Sequence, residues 1–271
     1  MKAMLLAVAL VGAVPASSVA YVQAHQNANG GFAEPSGPAS PQLTAWAVLG
    51  LGAAGATSPR AARYIAAREG ELTETTDVAI GLIGETVAGG DGSRLLRRLR
   101  RSVKRSGAIG PLVNSTAWGM IALRQAGQRV PVRTVRYLLA SQAPSGGWPW
   151  ARGSAPDSND TAAAVQALRA AGVRVSAPAI RRGLRYLRRF QNRDGGFELT
   201  PGRGSDAQST AWAIQAFLAA GRPAPRRAVA YLTGLRRRDG SYRYSARYVT
   251  TPVWVTAQVL PALARKSFPL R

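Results

Sequence analysis

A tyrosine followed eleven residues later by an aromatic residue closing a glycine turn recurs four times in this chain: Tyr21 to Phe32, Tyr137 to Trp148, Tyr186 to Phe197 and Tyr231 to Tyr242. The turns read Gly30-Gly31-Phe32, Gly146-Gly147-Trp148, Gly195-Gly196-Phe197 and Gly240-Ser241-Tyr242. A second spacing interleaves with the first, in which Thr44, Thr116, Thr161 and Thr210 each stand eleven residues before a glycine, at 55, 127, 172 and 221. A threonine start and a left-handed glycine stop enclose about three turns of helix. A repeat of about 20–50 residues marks stacked supersecondary units, each of which buries its apolar face only against its neighbours.

Two further units are weaker. Residues 61–90 keep Tyr64 and the run Thr76-Asp77-Val78-Ala79-Ile80 without an aromatic turn, and residues 94–127 carry Gly107-Ala108-Ile109 where the turn belongs. Opening threonines at 44, 76, 116, 161, 210 and 256 give six units. Each unit pairs two kinds of helix. In residues 94–105, Leu95, Leu96, Leu99 and Val103 form one stripe while Arg97, Arg98, Arg100, Arg101 and Lys104 fall elsewhere, so the first helix lies outside. The second, as in Thr44-Ala45-Trp46-Ala47-Val48-Leu49-Gly50, is apolar nearly all round and requires burial. The expected fold is all-α, with an inner ring of apolar helices and an outer ring of basic amphipathic ones. Since no unit has the polar face of an end cap, a closed ring is preferred to an open solenoid.

The string Arg182-Gly183-x-x-Tyr186-Leu187-x-x-x-Gln191 followed by Gly195-x-Phe197 resembles the glutamine and tryptophan repeat of squalene and hopene cyclases. Gln142 with Gly146-x-Trp148, and Gln26 with Gly30-x-Phe32, repeat it. The six-unit order is similar to the α/α toroid shared by class II terpenoid cyclases, protein prenyltransferase β-subunits and the transcobalamin group. What this implies is an α/α toroid over residues 17–271, on a scaffold that serves several functions.

The sharpest local signal is Asp157-Ser158-Asn159-Asp160-Thr161-Ala162. It resembles the DxDD motif of class II cyclases, whose middle aspartate, as the resemblance implies, protonates an alkene. Here that position is Asn159, and an amide is no acid. Asp157 and Asp160 match flanking positions and are the candidate catalytic acids. The same residues also serve as helix caps, with Asp160 or Asn159 accepting a backbone N–H and Asp157 shaping the preceding turn. Candidate ligand contacts are Asn159, Asp77, Trp150 and Trp254. Asp77 is the one acid that directly follows an opening threonine, Thr76, and the two tryptophans have no aromatic counterparts in other units. Trp46, Trp118 and Trp212 stand two residues after their threonines, one structural role played three times.

Composition narrows the chemistry. The absence of cysteine removes thiolate metal sites, thioesters and the zinc ligand that the prenyltransferase resemblance implies, and a single histidine argues against an imidazole-built metal centre. Neither a metal nor a cofactor is expected. A formal charge of +23 suits an anionic surface as partner, although only three of the 36 bases are lysine, a bias that GC-rich coding explains without any ligand. Nothing points to a specific nucleic acid.

Residues 1–16, with Lys2, an apolar run and small residues at the end, read as an export signal cut after Ala16, or after Ala13. No later stretch has the roughly 18 uninterrupted apolar residues of a membrane span. The reading is an exported toroid, residues 17–271, that binds a bulky isoprenoid, lipid or corrinoid-like molecule without turnover. Its rivals are a class II isoprenoid cyclase or isomerase using Asp157 or Asp160, and a basic scaffold on cell-surface polyanions.

Overall fold

The computed structural model describes residues 14–270, so most of the expected export signal lies outside the described residues. Twelve α-helices among these residues form six hairpins. The outer members are α1 (Ala16–Ala24), α3 (Pro59–Ala67), α5 (Ser93–Arg101), α7 (Val132–Ala140), α9 (Pro178–Arg188) and α11 (Arg226–Gly234). The inner members are α2 (Pro41–Ala53), α4 (Thr75–Val87), α6 (Val113–Gln125), α8 (Ser158–Ala170), α10 (Ala207–Ala219) and α12 (Pro252–Leu263). Each inner helix packs on the next and α12 packs on α2, so the ring closes. The fold is an α/α toroid.

The repeated residues do one job each. The threonine hydroxyl donates to the carbonyl four residues back and accepts the N–H of the turn's last residue: Phe32 to Thr44 at 2.9 Å, Trp148 to Thr161 at 2.9 Å, Phe197 to Thr210 at 2.8 Å and Tyr242 to Thr256 at 2.9 Å. Thr116 does the same for Ile109 at 3.0 Å. The glutamine amide closes the turn from the other side, with Gln26, Gln142 and Gln191 donating to the carbonyls of Gly30, Gly146 and Gly195. Tyrosines of the following units lie on the second glycine and donate to the chain just ahead of an inner helix: Tyr64 to Ala39, Tyr186 to Pro156 and Tyr231 to Ser205.

These bonds correct the register of the second unit. Helix α4 begins at Thr75, which places Val78, not Thr76, at the position of the other units' threonines, and Val78 stands eleven residues before Gly89, at φ +82°. The second unit has no aromatic turn whose N–H needs an acceptor, and accordingly no threonine there. In the corrected register Asp77 is the counterpart of Asp160 rather than unique among the units.

Closure repeats the same contacts between last and first units. The first turn glycine of one unit lies against the backbone of the next outer helix, as Gly195 does on Arg227, and Gly240 of the sixth unit lies on Ser17 of α1. At φ +91° and with Ser17's carbonyl oxygen against it, Gly240 has no room for a side chain. The Glu34 carboxylate of the first unit accepts the N–H groups of Val253 and Trp254, both at 2.9 Å, and so caps α12 across the seam.

Candidate functional site

The amino ends of the inner helices converge on one mouth of the ring, where side chains hand hydrogen bonds from helix to helix. Gln42 of α2 reaches Asp77 of α4 at 3.5 Å, Thr76 of α4 donates to Asn114 of α6 at 2.9 Å, and Asn114 donates to Asp160 of α8 at 2.6 Å. Neighbouring loops cover the mouth: the Trp150 carbonyl accepts from Val113 and Asn114, that of Leu199 from Ser158, and that of Tyr244 from Ala207. Gln42, Thr76, Asn114, Asn159 and Gln208 all stand two residues before the register position of their helices. The corrected register makes this polar ring readable in the sequence, and Gln42, Thr76, Asn114 and Gln208 are members beyond the expected Asn159.

Asp157 is the N-cap of α8, its Oδ1 accepting the Asp160 N–H at 2.7 Å. The cap role therefore falls to Asp157 and not to Asp160 or Asn159. Asp160 is only 6% exposed. Burial first, then the charge of Asp157, push its carboxyl up to about 8, against the opposing effect of the Asn114 amide bond. Burial also raises Asp157, although the N–H groups it accepts oppose the rise. Near neutrality the pair thus holds a proton tightly. A carboxyl that keeps its proton near neutrality is in the form a general acid requires, and what sets this site apart is the amide of Asn159 between the two acids.

The other candidates lie apart. Asn159 is half-buried at the mouth, where Ser158 Oγ approaches its Oδ1 at 3.4 Å. Asp77 is half-buried, and desolvation lifts its carboxyl above the usual range. Trp150, 54% exposed, projects from a hairpin in which Trp148–Pro149 pairs with Pro156–Asp157. Trp254 is half-buried with its ring 5.9 Å from that of Trp46.

The ring axis is filled. Trp46, Trp118 and Trp212, from alternate inner helices, form a triangle with centroid separations of 5.4, 5.3 and 5.9 Å. The second, fourth and sixth helices carry Ile80, Ala163 and Gln258 at the same position, so large residues alternate with smaller ones around the axis. Phe268, 3% exposed, enters from the opposite end and lies 5.8 Å from Trp118 and 6.5 Å from Trp46. Among the described residues no cluster of three histidine, aspartate or glutamate side chains is placed to hold a metal ion, and no helix is long and apolar enough to cross a membrane.

Residues 118–270 match the family model of the squalene-hopene cyclase C-terminal domain. The chain belongs to that family. Solved structures similar to this cyclase-family ring include a variant of the type II terpene cyclase MstE from Scytonema in complex with geranylgeranyl dihydroxybenzoate, at 15% identity and TM-score 0.73, covering 92% of this chain and 95% of that one. A protein from Actinoplanes is similar at 20% identity and TM-score 0.68, over 92% and 97% of the two chains. A structure described as a wild-type glycosidase is similar at 15% identity and TM-score 0.67, over 92% and 94%. At these identities the likenesses establish the toroid and not the chemistry. No curated protein sequence matches the chain.

Proposed function

We propose that this member of the squalene-hopene cyclase family binds a bulky hydrophobic molecule, isoprenoid in character, without turning it over. The observation that carries the reading is Asn159: the position that the resemblance gives to the proton donor is an amide, while Asp157 is engaged as the cap of α8 and Asp160 accepts from Asn114. The aromatic axis supports an apolar ligand, since Trp46, Trp118 and Trp212 present rings rather than charges to it. The test is incubation with geranylgeraniol or squalene. Saturable binding with the linear molecule recovered unchanged is expected, whereas a cyclised product that disappears in Asp160→Asn would establish the cyclase reading instead.

Export belongs to the same proposal, with the signal cut after Ala13. Val14 packs against the core and Pro15 is the N-cap of α1, and cleavage after Ala16 would remove both from the helix that closes the ring. The mature chain is therefore expected to begin at Val14, which intact mass measurement of protein recovered from the medium or envelope distinguishes from Ser17.

One observation favours an anionic surface as an additional partner. A groove of about 1600 Å³ along α11 is lined by Arg188, Arg222 and Arg226 over apolar Phe217, Leu218 and Val229, and none of the three arginines has an ion-pair partner among the described residues. Binding to anionic vesicles that weakens steeply between low and physiological salt is the expected behaviour, and salt-independent binding would remove this partner.

A further inference from the structure

We propose that the α10–α12 wall of the ring axis is a binding site for a neutral oxygenated head group on an apolar body, and that residues 267–270 are its stopper. The proposal rests on the ligand-binding reading above and specifies where and through which groups the ligand is held.

Gln215 and Gln258 are each 1% exposed, and neither amide has a hydrogen-bond partner at nitrogen or at oxygen. Trp212 Nε1 is likewise unpartnered. These make up five of the nine buried side-chain polar atoms without a partner among the described residues, and they lie on two adjacent inner helices. Buried polar groups in folded chains are almost always satisfied, so such a concentration calls for an occupant.

The helical register sets where these groups point. Gln258 occupies in α12 the position that Trp212 occupies in α10, which in three units carries the tryptophans meeting on the axis. Gln215 occupies in α10 the position of Gln166 in α8, and Gln166 Oε1 accepts the N–H of Phe268 at 3.0 Å, beside those same tryptophans. Both glutamines therefore face the axis. Two amides and an indole offer N–H donors and carbonyl acceptors but no charge. An ion buried against them has no counter-charge, so the head group they suit is a hydroxyl, ketone or carboxamide.

The stopper is held lightly for a buried segment. Phe268 packs on Trp46 and Trp118, and its N–H and that of Leu270 go to Gln166 and Gln125, at 3.0 and 2.8 Å. Leu263 ends α12 and Gln125 ends α6, so the segment dips from the carboxyl rim to the tryptophans at Phe268 and is back at the rim by Leu270. Withdrawing it removes the Phe268 ring, the packing of Leu270 and two side-chain acceptors, which an isoprenoid chain and solvent would replace.

The experiment compares melting temperatures of the full chain, Gln215→Met, Gln258→Met and a chain ending at Lys266, with farnesol and farnesyl diphosphate as probes. Each methionine variant is expected to melt about 2 °C or more above the parent, since an unpartnered buried amide is replaced by an apolar group of similar shape. Farnesol is expected to raise the melting temperature of the shortened chain in a concentration-dependent way. It should not do so in the shortened chain carrying both methionines, and any shift from the diphosphate, which the groove of Arg188, Arg222 and Arg226 also accepts, should be the same with and without the two glutamines. Lower melting temperatures in both methionine variants would show amides satisfied by each other or by trapped water, and would overturn the site. An equal farnesol shift with and without the glutamines, or a diphosphate shift that the two methionines abolish, would overturn the head-group recognition. If the shortened chain does not fold, Phe268→Ala in the full chain supports the same comparison. An empty protein from the natural host would count against the ligand-binding function, whereas these measurements use a supplied probe and decide the site alone.

Discussion

At the scale of single residues, the acid pair makes a prediction whose sign is fixed by the direction of the shift. A carboxyl whose pKa is higher in the folded than in the unfolded chain adds stability that is complete below the unfolded value and is lost as pH rises through the folded one. For Asp160 the loss falls between about pH 4 and about 8. The parent is therefore expected to lose melting temperature from pH 6 to pH 9, and Asp160→Asn to lose several degrees less; parallel curves for the two proteins would refute the buried proton. The motif Asp157-Ser158-Asn159-Asp160 was legible in the sequence, but its division of labour was not. Asp157 caps because β-pairing with Trp148 sets its backbone in extended conformation, and Asp160 holds its proton because the closed ring buries it beside Asp157, against the opposing bond from Asn114, 46 residues away. No local pattern carries that distance.

At the scale of elements, the glycine turn and the threonine that receives it form one unit. Replacing Thr210 with Val keeps its shape but removes the acceptor for the buried Phe197 N–H and the bond to the Asp206 carbonyl, and a loss of about 1–3 kcal/mol is expected in denaturant titration. Two glycines with left-handed backbone separate strain from packing. Gly55 has open space around it, and Gly55→Ala should cost about 1 kcal/mol from backbone conformation alone. Gly240→Ala should cost about 1–3 kcal/mol more, because its side chain would press on the carbonyl of Ser17. These elements were readable from sequence because side-chain-to-backbone bonds demand one residue type at one spacing. The second unit departs from the spacing for the same reason: with no turn to receive, Val78 replaces the marker threonine, and the nearby Thr76 stands two residues before that position.

At the scale of the whole molecule, closure rests on a seam whose two sides are more than two hundred residues apart in sequence. Glu34→Ala removes the carboxylate that caps α12 and is expected to lower stability by about 1–2 kcal/mol. Faster hydrogen exchange at Val253 and Trp254 than at the matching start of α8 would localise the effect to the seam. The six-fold order and the inner and outer character of the helices were evident in the repeat. The filling of the axis was not, because Trp46, Trp118, Trp212 and Phe268 meet only after the ring closes. The aromatic axis and the amide of Asn159 support the proposed reading of binding without turnover. The most direct test is native mass spectrometry, followed by solvent extraction, of the protein purified from its natural host. One linear, oxygenated, hydrocarbon-rich molecule per chain is the result predicted. A chain that is empty in repeated preparations, or one that carries a cyclised product, would contradict it.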